Sequence, residues 1–112
     1  MTRFEHYLSG GVFGIKYVFD TVNDGLPRHT HDAVTAHNVV VLRGEVKVLF
    51  DDETKYLQAG DIYDLDGSRP HAIRAVTPGA CIFNAFLNGQ PVEYKDLPPY
   101  ELKGQFDVRD MR

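Results

Sequence analysis

The chain has 112 residues, of which 43% are hydrophobic and 25% charged, and it carries a formal net charge of −4 with a pI of about 5.6. This length suits one domain and is too short for two, and the composition is that of an ordinary globular protein. No cluster of Lys or Arg predicts binding to nucleic acid or to an anionic membrane surface, and no segment approaches the roughly 18 apolar residues of a membrane span.

Short apolar stretches rich in Val, Ile, Phe and Tyr predict an all-β domain. In chain order they predict strands at 12–19, 38–42, 46–50, 55–58, 62–65, 71–76 and 81–87. Turn signals recur about every 8–12 residues, which is typical of a sandwich or barrel, and no stretch keeps a helical period. Residues 89–112 are rich in proline and charge, so we expect a loop-like C-terminal tail on a single domain spanning 1–112.

Alternation along the strands predicts which aromatic side chains face the interior. Tyr17 and Phe19 share one face of the first predicted strand, and Phe83 or its neighbour Asn84 lies on the last. Tyr17, Phe19 and Phe83 are therefore candidate substrate-binding residues, with core packing as the alternative.

Cys81 and the N-terminus bear on the cellular compartment. Cys81 is the single cysteine, so it forms no internal disulfide, and its apolar neighbours predict a buried side chain rather than a reactive thiol. Residues 1–11 lack the apolar core of a secretion signal. We expect a cytoplasmic protein.

Four of the five histidines lie where they could bind one metal ion. His29 and His31 are two residues apart, so on a strand both side chains point to the same face. His37 is in phase with Val39 and Val41, and His71 opens a later strand directly after a proline. Each histidine taken singly is as easily explained by a turn, a solvated loop or a hydrogen-bonded core position, whereas the set of four favours a metal site.

The same histidines carry a resemblance to a known family. Residues 25–44, with Gly25, His29, His31 and a closing Gly44, resemble the first cupin motif, and the stretch from Gly60 to His71 resembles the second. The resemblance implies a single-domain cupin with a double-stranded β-helix, or jelly-roll, barrel. His37 takes the position of the first motif's usual glutamate, so the resemblance implies a four-histidine metal site.

Two departures from the pattern bear on that site. Five residues separate His31 from His37, one or two more than usual, so a bulge is needed to bring His37 inward. The usual proline and glycine of the second motif are replaced by Asp66 and Ser68, which leaves His71 in place.

Four neutral imidazoles suit Fe, Mn, Ni, Zn or Cu as a divalent ion and leave its charge uncompensated. We therefore expect a compact anionic or enolisable organic substrate. The resemblance implies a metal-dependent enzyme, either a dioxygenase or a Lewis-acid isomerase or lyase, and a homodimer. The alternatives are a non-catalytic module that binds a small ligand or the metal, and a metal-free structural barrel.

Overall fold

A computed structural model of the protein describes residues 1–9, 12–30, 37–86 and 103–106, with side chains described in 1–5, 14–30 and 37–86. These residues form two antiparallel sheets. In spatial order the six-stranded sheet contains β10 (Lys103–Phe106), β1 (Thr2–Ser9), β2 (Val12–Phe19), β9 (Ala80–Phe86), β4 (His37–Arg43) and β7 (Ile62–Leu65). The four-stranded sheet contains β3 (Gly25–His29), β8 (His71–Ala75), β5 (Glu45–Phe50) and β6 (Thr54–Gln58).

The strands confirm the predicted all-β class. The predicted bounds of β2 and β7 are those of the structure, and the other five predicted strands differ by one residue at one or both ends. Gly44 and Gly60, the glycines of the two motifs, have φ values of 75° and 94° in the turns that follow β4 and β6. Glycine adopts this left-handed backbone without the steric penalty that other residues incur.

Three strands were not predicted. β1 and β3 mix charged residues or proline with apolar ones, so neither shows a clear alternation. The prediction of a tail without regular structure is corrected at Lys103–Phe106, because these residues pair with β1 as the edge strand β10. No described helix is long and apolar enough to cross a membrane.

Alternating side chains from both sheets form the core. On β4 the side chains of His37, Val39 and Val41 are buried, and those of Asn38 and Val40 are half-buried. The second face of β4 is therefore only partly buried, although Val40 makes the sequence apolar there as well. The largest fully buried side chains include Tyr17, Phe19, Phe86, Ile15, Leu26, Ile73 and Ile82.

Gly25 allows β3 to lie unusually close to β8. A Cβ atom at Gly25 would lie 1.8 Å from the carbonyl oxygen of Ile73 and 2.9 Å from the Cα of Arg74. Both contacts are with backbone, so the side chains alone cannot relieve them. The close approach brings the strand that ends at His29 against the strand that begins at His71.

Replacing Gly25 with alanine should therefore separate β3 from β8. Overpacking of this kind typically costs about 1–3 kcal/mol, and we expect Gly25→Ala to lie at the upper end of that range in urea unfolding. Gly14→Ala is the matched control, since its Cβ would meet only the far end of the Phe83 ring, at 2.1 Å. A loss of unfolding free energy for Gly25→Ala no greater than that for Gly14→Ala would contradict the inference that Gly25 is needed for the close approach of β3 to β8.

Candidate metal centre

His29 and His71 lie side by side on neighbouring strands. They are Cα partners in the β3–β8 pair, and their ring centroids are 4.4 Å apart at an interplanar angle of 61°. Both residues are buried, with 4% and 0% of their surface exposed. The β3–β8 pair therefore presents two imidazoles together at one end of the four-stranded sheet.

Each of the two rings is oriented by a backbone carbonyl two residues earlier. His29 Nδ1 is 2.6 Å from the oxygen of Pro27, and His71 Nδ1 is 2.6 Å from the oxygen of Arg69. A carbonyl oxygen only accepts hydrogen bonds, so each Nδ1 must donate its proton. In the neutral ring the lone pair then lies on Nε2, which is the state that a metal-binding histidine adopts when its other nitrogen is held by a carbonyl. The pair fits a divalent ion that favours nitrogen ligands.

Burial favours the neutral form of His71. Desolvation lowers its pKa below the ordinary histidine value, against the opposing effects of the Arg69 carbonyl and of Asp66. A neutral imidazole is the form that binds a metal ion. The environment of His71 is thus suited to a ligand near neutral pH.

An arginine lies beside this pair, on an aromatic ring next to His71. His71 pairs with Phe50 of β5, and their ring centroids are 6.4 Å apart. The Arg69 Cζ atom lies 3.8 Å from the centroid of the Phe50 ring. Its NH2 group donates to Asp52 at 2.7 Å and to Glu53 at 2.6 Å in the turn between β5 and β6. Hydrogen bonds from Arg69 are the largest cause that lowers the pKa of Asp52 and of Glu53.

A second arginine, Arg28, directly precedes His29. Its Nε donates to Asp51 at 3.1 Å and its NH2 at 3.0 Å. Both side chains are about two-thirds exposed, at 64% and 65%. The turn 51–53 therefore makes ion pairs with Arg28, which precedes His29, and with Arg69, which lies two residues before His71. In the described part of the chain, only Arg69 of these two arginines also packs on an aromatic ring.

His37 is buried on the other sheet. Only 1% of its surface is exposed, and its ring lies against Phe86, with centroids 4.3 Å apart. Its predicted phase with Val39 and Val41 is confirmed. Among the described residues no group of three or more His, Cys, Asp or Glu side chains could hold a metal ion, so the structure does not bring His37 together with His29 and His71. His31 lies outside the described residues, and the set of four stays a prediction.

The three candidate substrate residues lie on two different faces. Tyr17 and Phe19 stack in the core with centroids 6.2 Å apart and only 1% and 0% exposure. Phe83 is on the opposite face of the six-stranded sheet, over Gly14. Of the two alternatives on this strand, Phe83 and Asn84, the structure places Asn84 on the inner face together with Ile82 and Phe86, which corrects the choice of Phe83 as a candidate substrate residue.

Asn84 and Tyr63 are two polar residues of the six-stranded sheet whose side chains contact the core. Asn84 is 1% exposed between Ile15 and Val39, and its Oδ1 has no hydrogen-bond partner in the described part of the chain. Tyr63 is half-buried against the core, with its ring 6.4 Å from that of Phe50. The sequence offers Asn84 as the alternative to Phe83, whereas the contact between Tyr63 and Phe50 joins the two sheets and has no local sequence signal.

A cavity of about 240 Å³ lies away from the histidines. It is lined by Glu45, Tyr56, Leu57, Gln58 and Asp61. Glu45 begins β5 and Phe50, the neighbour of His71, ends it. Five residues of strand span about 17 Å, so this cavity is not the predicted metal site.

Comparisons with known proteins agree with this architecture. A cupin from Desulfovibrio desulfuricans, described as RmlC-like, is 25% identical with a TM-score of 0.66, over 76% of this chain and 80% of that one. The KdgF structure from a Halomonas species is 17% identical with a TM-score of 0.67, over 80% of each chain. A transcriptional regulator of the HTH_3 family from Vibrio cholerae is 22% identical with a TM-score of 0.63, over 80% of this chain and 51% of that one.

No curated protein matches the chain. A family model described as a cupin domain matches residues 20–87, which is more than half of the sequence and includes every histidine of the candidate site. With its two antiparallel sheets and these structural neighbours, the chain belongs to the cupin family.

Proposed function

We propose that the protein binds one divalent transition metal ion through the adjacent pair His29 and His71, with His31 and His37 as the further ligands that the family resemblance implies, and acts on a compact anionic or enolisable organic substrate. The observation that supports this most strongly is the orientation of His29 and His71. Two adjacent, buried imidazoles each have Nδ1 held by a carbonyl at 2.6 Å, which leaves the lone pair on Nε2.

The residues around the pair would bind and orient the substrate. Four neutral ligands leave the positive charge of the ion uncompensated, so an anionic group is attracted. The rings of Phe50 and Tyr63 would exclude water beside His71, and the Asn84 amide would hydrogen-bond a polar group inside the barrel. When bound, the ion supplies Lewis acidity or, as iron, chemistry with oxygen, which corresponds to isomerase or lyase activity and to dioxygenase activity respectively.

The second candidate function is a non-catalytic module that binds a small ligand or the metal. The structural likeness to a transcriptional regulator supports it, since the matched region there is about half of a longer chain. We also propose a homodimer, as the family resemblance implies.

Metal content tests the site directly. We expect near-stoichiometric metal by elemental analysis of tag-free protein and none after His29 and His31 are both changed to alanine. His6→Ala is the control, because His6 lies in β1 and belongs to neither motif. The bound metal should be released as the pH falls below about 6.5, where protons compete for imidazole. No metal in the parent after anaerobic incubation with Fe²⁺, Mn²⁺, Ni²⁺ and Zn²⁺ would overturn the proposed site.

Substitution of His37 tests whether the neutral ligand set selects anions. With cobalt-loaded protein and oxalate as the probe, His37→Glu should weaken binding about tenfold, or about 1.4 kcal/mol, because its carboxylate compensates the charge of the ion. His37→Gln is the matched neutral control and should bind oxalate like the parent. Equal oxalate affinity in the parent and in both variants would contradict the proposal that an uncharged ligand set attracts anions.

Turnover distinguishes the enzyme from the binding module. We expect the metal-loaded protein to convert at least one member of a panel of 2-oxo acids and β-diketones, detected by oxygen consumption or by NMR of the products. The His29→Ala, His31→Ala double variant should be inactive. Panel members that bind and are recovered unchanged, with metal and oxygen both present, would favour the module.

A further inference from the structure

The loop that leads into His71 is fixed by hydrogen bonds of its own. Asp66 Oδ1 accepts from the Ser68 nitrogen at 3.0 Å and from its hydroxyl at 2.7 Å, and the Arg69 nitrogen donates to the Asp66 carbonyl at 3.2 Å. Pro70 then disfavours helical backbone at Arg69 and keeps it extended. These contacts set the direction of the chain where the Arg69 carbonyl meets His71.

The side chain of Arg69 is fixed at its far end. Its guanidinium lies over Phe50 at 3.8 Å and bridges Asp52 and Glu53 at 2.7 and 2.6 Å. Exposed ion pairs alone contribute little, but a planar guanidinium held by a ring and two carboxylates is restricted in several directions at once. About two-thirds of the Arg69 side chain is covered, at 33% exposure.

The contacts of Arg69 therefore link the β5 neighbour of His71 to the carbonyl that accepts the His71 Nδ1 proton. Phe50, the ring that supports the guanidinium, is the β5 partner of His71. The carbonyl of the same arginine receives the His71 Nδ1 proton at 2.6 Å. Displacing the guanidinium would leave only the Asp66 contacts and Pro70 to hold residue 69, and we expect the carbonyl to be less precisely placed.

We propose that Arg69 is a positioning residue that keeps His71 as the Nδ1–H tautomer by fixing the carbonyl that accepts this proton. This proposal rests on the proposed metal site for its functional meaning, because the retained lone pair on Nε2 is the one that would bind the ion. The tautomer itself is a property of the metal-free protein.

Nitrogen-15 NMR of the metal-free protein tests the proposal. At pH 8.5, about two units above the reference histidine pKa, the side-chain spectrum should show the Nδ1–H tautomer for His29 and for His71 in the parent, with signals assigned from His29→Ala and His71→Ala. In Arg69→Met the His71 signals should shift toward the Nε2–H form, and those of His29 should not move. Substitution of residues that orient metal ligands commonly lowers affinity 10- to 100-fold, so cobalt affinity should fall at least tenfold.

Two further variants separate positioning from a general loss of structure. The double variant Asp52→Asn, Glu53→Gln keeps Arg69 and removes its carboxylate partners, so it should reproduce a smaller part of the His71 shift. Asp51→Asn breaks the exposed pair with Arg28 and should leave both histidines unchanged. Near-UV circular dichroism checks that each variant is folded.

Arg69→Met with the parental His71 tautomer would overturn the proposal, and so would an equal shift of His29. A His71 shift in a protein that binds no metal would support the positioning role of Arg69 and remove the proposed function. The two claims are thus separately testable.

Discussion

The pairing of β3 with β8 is the constraint on which the candidate site depends. It makes His29 and His71 Cα partners, and Gly25 permits the close approach because any larger residue would contact the Ile73 carbonyl. Backbone pairing fixes the spacing of the two rings far better than two loops could, since strand spacing is set by the hydrogen-bond ladder. The two carbonyl contacts then determine which nitrogen of each ring is available.

The sequence predicts the strands well wherever turn residues delimit an apolar stretch. The bounds of β2 and β7 are predicted correctly because glycine and aspartate flank both stretches. β3 was missed because Gly-Leu-Pro-Arg-His has the composition of a turn, and it becomes a strand only when β8 supplies its hydrogen bonds. The sequence leaves open whether Phe83 or Asn84 faces the interior, because both lie in an apolar stretch, and only pairing with β2 and β4 fixes the parity.

The sequence could predict which residues belong to the candidate site, but not how their side chains are arranged. Motif spacing selected His29 and His71, which the structure brings together. Motif spacing could not predict the contacts of Arg69, because Asp52 and Glu53 are 17 and 16 residues away in the sequence. They contact Arg69 only through the folded four-stranded sheet. His37 has the predicted inward phase, yet strand phase says nothing of which inner neighbour its ring will contact, and here that neighbour is Phe86.

Burial and charge act on the same histidine in a consistent way. Desolvation favours the neutral form of His71, and the charge of Arg69, two residues earlier, is compensated by Asp52 and Glu53 in the turn 51–53. An uncompensated guanidinium at this position would oppose the binding of a metal cation, since like charges in a partly buried site repel strongly. The two acidic residues therefore allow an arginine to lie beside His71 without adding net positive charge there. This arrangement makes a basic residue compatible with the proposed metal site.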